Sequence, residues 1–200
     1  MTRRRRSRGQ SMVELAILLP ILVTLFLGSW TAADLIADNN AAAQATRAGA
    51  RLAAELGNGG WKAGAGASGC QTSGTDPCKL DVQIVDQVLP IVSPKLTNAV
   101  VTEIDIYQPS GSGNGCTFSS GSCPPNNGAF CCGELIDVYT VSGGVATRSS
   151  ATYTLDKRGQ THPNEDELGV RLVFQYTSPT MTVFTQTDSQ YSVVRLAPAA

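Results

Sequence analysis

Arg3-Arg4-Arg5-Arg6-Ser7-Arg8-Gly9-Gln10-Ser11-Met12-Val13-Glu14-Leu15-Ala16 leads into an apolar stretch that runs to about Trp30. Five arginines ahead of an apolar segment are a topological signal, because a cationic flank stays on the cytoplasmic side of a bilayer. The N-terminus is therefore expected inside and everything after Trp30 outside. A hydrocarbon core of about 30 Å is crossed by roughly 20 apolar residues at about 1.5 Å each. Residues 12–33 supply one such span, interrupted only by Glu14, Thr24, Ser29 and Thr31, and no second segment of that kind follows.

A secretory signal peptide has the same order of basic and apolar parts. Thr31-Ala32-Ala33 has the small residues of a cleavage site, which would put a released N-terminus near Asp34. Against that reading stand an apolar run longer than the usual h-region of about 7–15 residues and the acid at its start. A charge inside a span costs about 2.5–3.5 kcal/mol at the helix centre and marks a functional position. Glu14 needs a partner. A cut after Gly9 would make Gln10 the first residue, with a free amine at the cytoplasmic edge, and Glu14 the fifth. An ammonium group beside the carboxylate offsets the cost of holding it in lipid.

A basic leader ending in glycine, a cut, and glutamate at the fifth mature position resemble the processing motif of type IV prepilins. The resemblance implies that a prepilin peptidase, a membrane aspartyl enzyme, cleaves between Gly9 and Gln10. It also implies that Glu14 pairs with the N-terminal amine of a neighbouring subunit and sets registry in assembly. Arg8-Gly9-Gln10-Ser11-Met12-Val13-Glu14-Leu15-Ala16, Leu19-Pro20, Asn40-Ala41-Ala42 and Ala48-Gly49-Ala50-Arg51 are similar to the TadE-like family, minor pseudopilins of the tight-adherence (Tad, or Flp) type IV pilus system. The likeness is strong over about the first 55 residues and weaker over 169–176 and 191–198. Leu15 departs from the aromatic that follows the glutamate in major Flp pilins. The implied partners are the prepilin peptidase, other pilin and pseudopilin subunits, the inner-membrane assembly platform and the lipid bilayer. The implied place is the cytoplasmic (inner) membrane, single-pass, with the C-terminal domain outside and incorporation into a surface pilus as an option.

Past the span the chain is rich in alanine to Leu56 and contains no proline, so the helix is expected to continue to about 45 residues, about 70 Å. Gly49 weakens it by about 1 kcal/mol against alanine. Leu35, Ala42, Ala45, Gly49, Leu52 and Leu56 form a small-residue stripe at helical spacing, suited to close packing. Arg47, Arg51 and Glu55 recur every four residues and read as a solvated, salt-bridged face. Pro20 removes one hydrogen bond in mid-span. Gly57-Asn58-Gly59-Gly60 ends the helix.

The expected organisation is a leader at 1–9, a transmembrane segment at 10–33, its soluble continuation at 34–57, a flexible linker at 58–69 and an extracytoplasmic domain at 70–200. Within the domain, 81–92 carries apolar residues three to four apart and predicts a short helix ending near Pro94. The period then becomes two. Strands are expected at 101–107, 135–141, 145–155, 170–176, 180–186 and 192–196, with turns at Ser142-Gly143-Gly144 and Thr177-Ser178-Pro179. The fold class is α+β and pilin-like, with one long N-terminal helix packed on an antiparallel sheet whose loops are stapled by disulfides.

Cys70, Cys78, Cys116, Cys123, Cys131 and Cys132 all follow the span, in Gly/Ser/Pro-rich stretches. An even count in an exported domain predicts disulfides. Cys70 with Cys78 is the local pairing expected, and the other four would close the loop from 109 to 133, although six cysteines allow 15 connectivities. Zinc is the rival, but no C-x-x-C pair is present and His162 is the single histidine, so no metal is expected. His162 beside Pro163 reads as a solvated loop residue, and Glu165-Asp166-Glu167 lacks the spacing of a calcium loop. No catalytic or cofactor fingerprint is present, so neither an enzyme nor a cofactor is expected. Loss of residues 1–9 leaves ten basic against sixteen acidic residues, which argues against a nucleic-acid partner.

The residues thus predict a membrane-inserted minor pseudopilin acting in pilus assembly and adhesion. The alternative is a single-span envelope protein or adhesin that stays anchored and does not polymerise.

Overall fold

A computed structural model of the chain describes residues 7–57, 80–109, 135–151, 153, 158, 167–179 and 184–196. The first element, α1, runs from Ser7–Leu56 without a break, 50 residues long, which is about 75 Å. It continues through Pro20. Its lower half is long and apolar enough to cross a membrane, and none of that apolar window is buried in the protein. The hydroxyls within it turn back on the helix: Thr24 donates to the Ile21 carbonyl, Ser29 to Leu25 and Thr31 to Leu27. Such back-bonding keeps polar groups satisfied where no water is at hand. The helix stops at Gly57, whose φ of 54° and bond from its N–H to the Ala53 carbonyl end it as expected.

The second helix, α2, spans Leu80–Val92, close to the periodicity reading. Five strands follow: β1 (Ala99–Tyr107), β2 (Ile136–Ser142), β3 (Val145–Ala151), β4 (Glu167–Thr177) and β5 (Thr185–Arg195). They form one sheet in the order β3-β2-β1-β4-β5, and every neighbouring pair is antiparallel. The β2–β3 hairpin, expected at Ser142-Gly143-Gly144, turns on Gly143 and Gly144, both at positive φ, as a two-residue connection requires.

The upper half of α1 and the whole of α2 cover one sheet face. Ala42, Ala45, Ala50 and Ala53 of α1, Ile84, Val88 and Val92 of α2, and Ile104, Ile106, Val170, Leu172 and Phe174 of β1 and β4 belong to one buried cluster. Alanines and Gly49 bring the helices close: a β-carbon at Gly49 would lie 2.5 Å from Val88 Cγ2. The other sheet face is also buried around Tyr107, Asp105, Gly169, Arg171 and Val173. There the Tyr107 ring lies on Gly169, where a β-carbon would meet it at 2.3 Å.

The fold class is therefore α+β, a long apolar N-terminal helix against a five-stranded antiparallel sheet. Three expectations need correction. Of the strands expected at 180–186 and 192–196, the described residues form one continuous strand, Thr185–Arg195. Its polar centre, Thr187 to Gln190, looked like an interruption, but an edge strand tolerates polar side chains on its exposed positions. The strand expected over 145–155 ends at Ala151, because the chain bends so that the Tyr153 N–H reaches Asp137 Oδ1 at 2.9 Å. Arg47, Arg51 and Glu55 are exposed and make no ion pair among the described residues. Exposed pairs gain little over the entropy of holding two long side chains together. The six cysteines, the linker at 58–69, His162, Glu165 and Asp166 lie outside the described residues.

Candidate functional site

The residues singled out at the start of the chain fall on one element. Gly9 and Gln10 lie in the first turn of α1, and Glu14 is exposed within the apolar half. Glu14 follows Gln10 by four positions, which on a helix is the same side and a rise of about 6 Å. Around Glu14 the surface is Met12, Val13, Leu15, Ile17, Leu18 and further exposed aliphatic side chains as far as Phe26 and Trp30. Those two rings stack in a tilted arrangement, 6.3 Å between centroids.

Above this surface, a set of hydrogen bonds absent from the sequence reading ties α1 to the sheet. Asp38 is fully buried. Its Oδ1 accepts the Thr97 N–H at 3.0 Å and its Oδ2 the Asn98 N–H at 3.4 Å. One turn below, Asp34 accepts the Asn98 side-chain amide at 3.1 Å. The Tyr176 hydroxyl donates to the Thr31 carbonyl at 3.4 Å, and Gln190 bonds Asn39 at 2.7 Å. Burial, together with the charges of Asp34 and Asp38, raises the Tyr176 pKa, so the phenol stays a donor. Asp34 and Asp38, at helical spacing on α1, hold the residues just ahead of β1; the Thr31 carbonyl holds the end of β4, and Asn39 reaches the middle of β5. The only hint in the sequence is that spacing of Asp34 and Asp38 directly after the span.

Two buried charged groups hold the rest of the sheet domain. Arg158 donates to Asp81 at 2.7 Å and to Asp137 at 3.4 Å, and its guanidinium lies 4.8 Å from the centre of the Tyr153 ring. Arg171 bonds Asp105, its neighbour across the β1–β4 pairing, and Glu103 at 3.0 Å. Each cluster sets two carboxylates against one guanidinium. Burial pushes Asp81 up to about 7 against the pull of Arg158, helped by the hydrogen bond and charge of Asp137. Burial likewise takes Asp105 to about 7 against Arg171, helped by the charge of Glu103. The clusters sit in packed protein away from the apolar half of α1, and their chemistry is structural. Among the described residues no group of His, Cys, Asp or Glu is arranged to hold a metal ion.

The model of the family described as TadE-like protein matches residues 9–51. That segment is α1 almost entire: it begins at Gly9, contains Glu14 and Pro20, and includes the clamp residues Asp34, Asp38 and Asn39. No curated protein and no solved structure matches the chain.

Proposed function

We infer that this chain, whose residues 9–51 match the TadE-like family model, is a membrane-inserted minor pseudopilin of the Tad pilus. The observation that carries the reading is the continuity of α1 from a fully exposed apolar half bearing Glu14 into a half buried against the sheet. A helix of this kind anchors the subunit singly in a bilayer. It also exchanges lipid for the helices of other pilus subunits without rebuilding the domain above it. Glu14 is a carboxylate that lipid disfavours. Cleavage after Gly9 by the prepilin peptidase supplies the amine that neutralises it on a neighbouring subunit, and the assembly platform in the inner membrane then draws subunits together. The sheet domain, outside the membrane, serves adhesion.

The N-terminus of the protein purified from its native membrane tests this directly. Gln10 as the first residue is expected; Asp34 overturns the reading. An intact leader, together with normal pilus number in a Glu14→Ala strain, instead leaves an anchored envelope protein or adhesin that does not polymerise. In the pseudopilin, Glu14→Ala leaves membrane insertion intact and lowers piliation.

A further inference from the structure

Which end of the sheet faces the membrane follows from the clamp. The Tyr176 hydroxyl meets the Thr31 carbonyl and the Asn98 amide meets Asp34. The end where β1 begins, β4 ends and β5 begins is therefore level with residues 31–34 of α1. β2 returns to the same end, because Glu103 pairs with Thr140, and its two-glycine turn delivers Val145 there too. Counting from Met12 at about 1.5 Å per residue, the helix has risen about 30 Å by Thr31, the thickness of a hydrocarbon core. This end of the sheet therefore lies in the headgroup layer, if α1 is the membrane span.

The surface at that end suits the place. Val100 is 67% exposed, Val145 65% and Phe184 44%, and they stand at the start of β1, the start of β3 and just ahead of β5, on the same rim. A groove of about 200 Å³ between Leu96, Val100 and Val141 opens beside them. Trp30, on the helix at the same level, is exposed as well, and tryptophan concentrates at membrane interfaces. Among the described residues near the rim, Asp38 is buried against Thr97 and Asn98, and the half-buried Asp34 turns one oxygen inward to the Asn98 amide. Exposed apolar side chains continuous with a lipid-facing helix bury themselves to interfacial depth, about 5–10 Å.

We propose that the rim formed by Val100, Val145 and Phe184 is a second membrane contact, seated in the headgroup layer of the bilayer that α1 crosses. The domain is then held against the membrane rather than standing free on its helix. The proposal rests on α1 being a membrane span.

The test uses the full chain in phospholipid vesicles whose acyl chains are brominated near the headgroup. In a Trp30→Phe, Trp61→Phe background, Phe184→Trp and Val100→Trp each place one fluorophore on the rim, and Val193→Trp places one at the far end of β5. Phe184→Trp keeps an aromatic ring at an exposed site and so does not hinge on refolding. The rim tryptophans are expected to emit to the blue of Val193→Trp and to be quenched several-fold more by the bromines. Water-like, unquenched emission from the rim while Trp30 of the parent chain is quenched would overturn the proposal and leave the span intact. An unquenched Trp30 would overturn the span and the rim contact together. Blue-shifted emission that bromines do not quench and that depends on protein concentration would mean that another copy of the chain covers the rim, which also overturns it.

Discussion

Asp38 and Thr97 meet across 59 positions of chain, the buried carboxylate on the helix accepting the backbone N–H that precedes the first strand at 3.0 Å. The same carboxylate also serves Asn98, so one side chain satisfies two amides that the sheet cannot. Asp38→Ala should leave both without a protein acceptor; Thr97 is exposed and Asn98 half-buried, so water takes part of its place and the cost is about 0.5–1.5 kcal/mol for each bond. Hydrogen exchange at the Thr97 and Asn98 amides is expected to accelerate, with a lower urea midpoint in detergent. Unchanged protection at both amides would refute the clamp.

Gly49 is required by distance rather than by dihedral angle. Its added β-carbon falls 2.5 Å from a Val88 methyl, and a β-branched side chain has little rotamer freedom with which to yield. Gly49→Ala would gain about 1 kcal/mol of helix propensity and lose about 1–3 kcal/mol to overpacking. Net destabilisation is expected, and Gly49→Ala combined with Val88→Ala should recover part of it. The readout is the denaturant midpoint of the three variants.

Gly169 is a stricter case, since three ring atoms of Tyr107 lie within 2.7 Å of the position its β-carbon would take. Gly169→Ala must lift the ring off the sheet and should cost about 2 kcal/mol or more. Near-ultraviolet circular dichroism is expected to lose tyrosine signal. A wild-type spectrum would mean that the ring has another seat.

The buried carboxylates give stability a pH dependence of definite sign. Asp81 and Asp105 have folded-state pKa values raised from 3.8 to about 7. Between those limits the folded domain holds protons that the unfolded chain has released. Their contribution is therefore complete below the unfolded value and is lost as pH rises through about 7. Measured as the difference from the parent, the Asp81→Asn and Asp105→Asn variants should show a smaller fall in denaturation midpoint over that window. Arg171→Met, which leaves Asp105 and Glu103 without their cation, should cost about 3–5 kcal/mol where both are ionised and less on the acid side.

Much of this architecture is written locally. α1 could be read end to end because apolar exposure, alanine content and a terminal glycine are properties of neighbouring residues; α2 and the β2–β3 turn likewise. β5 was divided because edge position, which licenses its polar centre, is a property of the finished sheet. The charged clusters were missed for a similar reason. Period two puts Asp105 on the face opposite Ile104 and Ile106, which ordinarily means water, but that face is buried as well. Asp105 meets Arg171 only through the β1–β4 register. Nothing in the sequence near Arg158 signals that it reaches Asp81, 77 positions away. Glu14 was legible for the opposite reason: an acid in an apolar run is conspicuous without any fold.

Because α1 has no break between Glu14 and Asp38, the two residues share one rotational setting. Their separation of 24 positions amounts to six full turns and about two thirds of another. Glu14 therefore points about a third of a turn away from the side that grips the sheet, clear of the domain's own shadow. Azimuth, as much as height, is inherited by whatever the domain presents. One residue inserted between Trp30 and Thr31 would lengthen the helix by only about 1.5 Å but swing the acid by about 100° relative to the sheet, aiming it at a different neighbour while the contacts from Thr31 upward stay as they were.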